Sequence, residues 1–127
     1  VDSGARHFAV PIDDLSEPNL LENGRKIRFS SEFSPKGINV NFYTELGGNS
    51  IYVKTYEKGI EKLMLSCGSG SVAAAYHASQ TLGLQNSINV TVPGGKLYIE
   101  FDSNWENVWI TGLAILLFTS TISLDNL

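Results

Sequence analysis

Cys67-Gly68-Ser69-Gly70-Ser71-Val72-Ala73-Ala74-Ala75 places the chain's one thiol directly before a run of small, mostly apolar residues. Their composition predicts a helix from about Gly70 to Leu82, stopped by Gly83 in the position that favours a left-handed residue. Val72, Ala73, Ala74, Ala75, Tyr76 and Ala78 leave this helix no broad polar face, so it is expected to be enclosed by other structure. Its first turn is where a thiolate and an anionic ligand are both favoured, because unpaired N–H groups and the positive end of the helix dipole converge there. On that ground the Cys67 thiol is expected to be more acidic than a free cysteine. A small buried cysteine ahead of a helix is the alternative reading of the same residues.

Outward from this helix the chain alternates in the manner of strands. Period-2 runs cover Phe8 to Ile12, Asn39 to Leu46, Ile51 to Tyr56, Ile88 to Val92, Lys96 to Phe101, Val108 to Thr111 and Ala114 to Ser120. Gly47-Gly48-Asn49, Pro93-Gly94-Gly95 and Asp102-Ser103-Asn104 carry the turn chemistry between them. A second helix is predicted over Glu17 to Arg28, with Pro18 at its start and Gly24 weakening its middle. Seven strands and one enclosed helix give an α+β fold. The expected architecture is a mixed, barrel-like sheet wrapped around the central helix, residues 1–127 forming a single domain with Cys67 at the barrel mouth.

Composition narrows the function. A chain of 127 residues, 43% apolar and 17% charged, is long enough to bury a real core. With 9 basic and 13 acidic residues the net charge is −4, and no basic cluster offers a nucleic-acid footprint. The apolar run Leu113 to Phe118 is too short to cross a membrane. One cysteine permits no internal disulfide and no cysteine-based metal site, and the two histidines add no ligand spacing, so no metal is expected. A lone free thiol suits a reducing compartment, and the cytoplasm is the expected location. No charged segment followed by an apolar one opens the chain, so no secretion signal is expected. The start on Val1-Asp2-Ser3-Gly4 is that expected of a piece of something longer.

Five motifs in order carry a resemblance: Gly4-Ala5-Arg6-His7-Phe8, Gly37-Ile38-Asn39-Val40-Asn41-Phe42, Thr55-Tyr56-Glu57-Lys58-Gly59, Cys67-Gly68-Ser69-Gly70 and Val92-Pro93-Gly94-Gly95-Lys96-Leu97. Together with the helix around Asn23-Gly24-Arg25-Lys26-Ile27-Arg28, they resemble the C-terminal half of the diaminopimelate epimerase family over essentially the whole chain. The resemblance implies cofactor-independent inversion of an amino-acid α-carbon by two cysteines, in the pathway to lysine and cell-wall precursors. Cys67 would be one of them, and the other would belong to an N-terminal half that this chain lacks. It further implies that Glu57 and His7 tune the thiols, that the N–H groups of Gly68 and Ser69 hold the substrate α-carboxylate, and that Asn39, Glu57 and Lys58 contact substrate.

Departures from the family pattern bear on the substrate. Lys58 stands where the family has an arginine, keeping the charge but losing the bidentate fork, and Ala5 stands at an asparagine position. Arg6 replaces a proline, Leu63-Met64 replaces a Glu-Thr pair, and the Glu57-to-Cys67 loop is one residue longer. His77, well inside the central helix, reads as structural. The expected partners are a small amino-acid substrate and the N-terminal half of the same protein, with a homodimer left open and nucleic acid and membrane excluded. A related amino-acid racemase with another substrate and a non-catalytic carboxylate-binding domain stay open beside the epimerase. A papain-like hydrolase using Cys67 and His7 is disfavoured, because no orienting group or oxyanion partner is recognisable.

Overall fold

The computed structural model describes residues 1–121. In chain order the elements are β1 (His7–Pro11), α1 (Glu17–Arg28), a one-turn 3-10 helix (Ser31–Phe33), β2 (Asn39–Glu45), β3 (Ser50–Glu57), β4 (Lys62–Met64), α2 (Gly68–Leu82), β5 (Ser87–Val92), β6 (Gly95–Phe101) and β7 (Val108–Gly112). The strands form one mixed sheet in the order β1-β2-β3-β5-β6-β7, with β4 also paired to β3. Both parallel pairs, β1 with β2 and β3 with β5, are bridged by a helix: α1 in the first case and α2 in the second. Three of the four antiparallel pairs, β2 with β3, β5 with β6 and β6 with β7, are joined by the turns read from the sequence, and Gly47, Gly48 and Asn49 all adopt positive φ between β2 and β3.

Period 2 assigns the two faces. Val40 and Phe42 of β2, Tyr56 of β3 and Val10 of β1 pack with Leu20 of α1. The alternate residues Tyr43, Ile51 and Val53, with Ile88, Val90 and Ile99, pack instead on Ala74, Ala75 and Ala78 of α2. Alanines on this helix let its backbone lie close to the sheet, and Ala73, Ala74, Ala75 and Ala78 have no exposed surface. Gly24 has a similar origin. A Cβ there would stand 2.6 Å from Cγ of Tyr56, so the residue that weakens α1 as a helix former is the one that lets it seat on β3.

The sheet wraps α2 without closing. Trp105, in the β6–β7 connection, stacks on Phe101 at 3.7 Å between ring centroids and meets Tyr76 of α2 edge-on at 5.1 Å. On that side Val1 to Ser3, ahead of β1, and Val108 and Ile110 of β7 face one another across a 630 Å³ cleft lined also by Val72 and Tyr76. No helix is long and apolar enough to cross a membrane among the described residues.

Two details differ from the sequence reading. Strand β4, three residues long, is too short to show a period and was not expected. Residues 114–120, expected as a strand, form none: they run beyond β7 without a partner edge, leaving Leu113, Ile115, Leu116, Leu117 and Phe118 at 69% exposure or more. Alternation marks residues suited to a sheet, but a strand exists only where a neighbour completes its backbone hydrogen bonds.

Candidate active site

Three adjacent strands deliver the site to the start of α2. His7 lies opposite Asn39 in the β1–β2 register, and Asn41 lies opposite Thr55 in the β2–β3 register. The same period that turns Tyr43, Ile51 and Val53 toward α2 turns Asn41 and Thr55 toward its first turn. Cys67 is the N-cap of α2, half-buried, with extended backbone at φ −142° and ψ 109°. The first helical bond runs from the Ser71 N–H to the Cys67 carbonyl at 2.9 Å, so the N–H groups of Gly68, Ser69 and Gly70 precede the ladder. That of Gly70 lies beside Sγ. Those of Gly68 and Ser69 meet no acceptor among the described residues.

A chain of side-chain contacts leads away from the sulfur. Ser69 Oγ lies 3.7 Å from Sγ and 3.0 Å from His7 Nε2. His7 Nδ1 lies 3.0 Å from Asn41 Nδ2, and the Thr55 hydroxyl donates to Asn41 Oδ1 at 2.9 Å. The Ser3 hydroxyl ties the Ser69 carbonyl down at 2.7 Å. Gly70 makes room for all of this. A Cβ at that position would overlap Asn41 Oδ1 and stand 3.0 Å from Thr55 Oγ1 and 3.1 Å from Sγ.

Burial pushes the Cys67 thiol above its ordinary pKa; the Gly70 N–H and the Ser69 hydroxyl pull it back in part, and the Glu57 carboxyl beside it adds to the rise. The expectation of an unusually acidic thiol is therefore corrected. The helix N-terminus is present, but desolvation and an acid ten residues earlier in the chain outweigh it. Burial holds His7 below the usual imidazole range, with Glu57 and the Asn41 amide opposing the fall, so the ring is neutral at pH 7. Because Glu57 raises both groups, Glu57→Gln is expected to lower the thiol midpoint, read from alkylation rate against pH. A midpoint that stays put or rises would separate Glu57 from Cys67.

The other sequence-predicted residues are distributed as follows. Asn39 is buried with its amide engaged by backbone: Oδ1 accepts the Lys58 N–H at 2.9 Å and Nδ2 donates to the Arg6 carbonyl at 3.4 Å. It thereby joins the segments that carry His7 and Glu57. Lys58 and Gly68 are exposed, and Ser69 and Ala5 are half-buried. His77 accepts or donates through Nδ1 to the Tyr43 hydroxyl at 2.8 Å, on the flank of α2 away from Cys67, in keeping with a structural part. Asn41 and Thr55 were not anticipated as site residues. Their signal was available, since a polar residue at every second position of a strand otherwise buried marks a face with something other than a hydrophobic core.

The family model described as diaminopimelate epimerase matches residues 1–116. The chain is 38% identical over 126 residues to the diaminopimelate epimerase of Aquifex aeolicus, covering 97% of this chain and 45% of that protein. It is 41% identical over 127 residues to that of Archaeoglobus fulgidus, covering 99% and 43%. Among solved structures, a phenazine biosynthesis protein of the PhzF family from Enterococcus faecalis superposes with a TM-score of 0.58 at 13% identity, covering 76% of this chain and 34% of that one. A PhzF-family protein from Bacillus anthracis gives 0.56 at 21% identity, covering 80% and 33%. These structural likenesses establish the fold. The chain spans about half the length of the curated relatives it matches, and with a family match over nine-tenths of its residues it belongs to the diaminopimelate epimerase family.

Proposed function

We propose that residues 1–127 are one domain, the C-terminal half of an enzyme that inverts the α-carbon of diaminopimelate without a cofactor, and that Cys67 is one of its two acid–base thiols. The observation that carries this reading is the juxtaposition at one helix start of a thiol, a carboxyl group beside it and two N–H groups without acceptors among the described residues. The substrate α-carboxylate docks on the N–H groups of Gly68 and Ser69, where the helix dipole favours an anion. That seat holds the α-carbon within reach of Sγ.

In one direction a thiolate of the N-terminal half removes the α-proton, and the Cys67 thiol delivers its own proton to the opposite face of the carbanion. The proton count is conserved, and the thiolate moves from one sulfur to the other. A thiol held above its ordinary pKa is protonated at neutral pH, which is the state this delivery requires. For the return direction Glu57 accepts the thiol proton, and the Cys67 thiolate becomes the base. His7, buried and neutral, supports the arrangement through Ser69. Lysine and cell-wall precursor synthesis and a reducing, cytoplasmic location follow from the same reading, since the mechanism needs the thiol free.

Lys58 and Ala5 favour keeping a second substrate in view. A point charge and a methyl group supply fewer directed hydrogen bonds to a distal carboxylate than a guanidinium and an amide. The test is solvent-deuterium incorporation at the α-carbon, run with the intact protein on diaminopimelate and on a panel of other amino acids. Exchange with diaminopimelate is expected, and none from residues 1–127 alone, which hold one thiol. Exchange confined to another amino acid would move the assignment to a related racemase, and exchange by the isolated chain would end the two-thiol account.

A further inference from the structure

The side chains leading away from Cys67 have a direction. A thiolate can only accept hydrogen bonds, so when Cys67 is ionised the Ser69 hydroxyl must donate to it. Ser69 Oγ is then free to accept from His7, which requires the proton of the neutral ring to sit on Nε2. Nδ1 must in turn accept, and the group facing it is the Asn41 amide nitrogen, which can only donate. Asn41 holds that orientation because its Oδ1 receives the Thr55 hydroxyl. In this orientation the Asn41 oxygen lies against Gly70, where a Cβ would overlap it and where Thr55 Oγ1 and Cys67 Sγ are the next atoms. With Asn41 held in this orientation, the links run with the polarity that ends on a donor to sulfur.

The geometry points to Asn41 as a positioning residue: braced by Thr55, it fixes His7 as the Nε2–H tautomer and so commits the Ser69 hydroxyl to stabilising the Cys67 thiolate. Asn41 has no exposed surface and acts only through its neighbours. This role rests on the assignment of Cys67 as an acid–base thiol. It gives the histidine a part in the half of the reaction that needs Cys67 as a base. Burial, which keeps the ring neutral, makes the choice between two tautomers meaningful. The charged groups that bear on the ring are Glu57, Asp2 and the Val1 amino group.

Two measurements on the intact protein decide it. Long-range proton–nitrogen correlation spectra of the 15N-labelled protein, with His7 identified by the signals lost in His7→Gln, are expected to show a protonated Nε2 and a bare Nδ1. The Nδ1–H tautomer overturns the proposal whatever any variant does. The second measurement is the alkylation rate of Cys67 at a fixed pH below its midpoint, followed by mass spectrometry of its peptide. Ser69→Ala is expected to slow it roughly tenfold, the scale of one charge-assisted hydrogen bond, and Ser69→Thr to leave it near the starting rate. Asn41→Leu is expected to slow it by a similar factor, and the double variant Ser69→Ala/Asn41→Leu by no more than either alone. Losses that multiply, or an unchanged rate in Asn41→Leu, overturn it. Neither readout uses substrate, so a failed epimerase assay leaves this result standing, and the converse holds.

Discussion

Cys67→Ser in the intact protein is expected to cut α-carbon exchange by about 10²–10⁴-fold, the range that a positioned acid–base group contributes, while unfolding remains at its original temperature. Serine is an excellent N-cap, so the start of α2 loses nothing by the change. Its hydroxyl, with a pKa far above that of a thiol, neither yields nor accepts a proton readily near neutrality. Cys67→Ala removes the group altogether and is expected to be at least as inactive, with no cap lost, since the Cys67 side chain makes no cap hydrogen bond. Circular dichroism melts beside deuterium-exchange rates check both halves of the expectation. Activity near the original level in either variant would leave Cys67 a buried structural residue.

Gly70→Ala is expected to lower both stability and activity, against the trend for helices. Inside a helix alanine is favoured over glycine by about 1 kcal/mol. At this position, however, the added methyl overlaps Asn41 Oδ1 and presses on Thr55, both held by the sheet, and on the sulfur. Overpacking a closed site costs about 1–3 kcal/mol. Here it also parts the Thr55–Asn41 hydrogen bond, so the unfavourable terms win. Displacing the helix start by a fraction of an ångström moves Sγ and the N–H groups of Gly68 and Ser69 together, and a loss of about 10²-fold in exchange rate is the expected scale. A variant that melts higher than the original would show that the first turn of α2 yields more easily than its contacts indicate.

Much of this architecture is legible before any coordinates. The alternation in β1, β2, β3, β5, β6 and β7 and the alanine run of α2 locate the main elements to within a residue or two, although β2 is buried on both faces and β7 on neither. The same rule misleads at 114–120, where suitable side chains have no neighbouring strand. The cap position of Cys67 is a local property and is readable. Its proton affinity is not, since it depends on burial and on Glu57, the last residue of β3, which lies beside the thiol only in the fold. Asn41 and Thr55 show the intermediate case: strand period predicts their face, but only the pairing of β2 with β3 brings them together beneath Gly70.

The free side of β7 has a practical cost for anyone handling residues 1–127 alone. Val108, Trp109 and Ile110 are exposed on a strand paired only with β6 among the described residues, and the apolar stretch from Leu113 to Phe118 follows at once. An unpaired edge continued by greasy residues is a template on which further chains can add strand by strand. Residues 1–127 handled alone should therefore self-associate as concentration rises, and lysine substitutions at Leu116 and Leu117 would be the first remedy for keeping them dispersed.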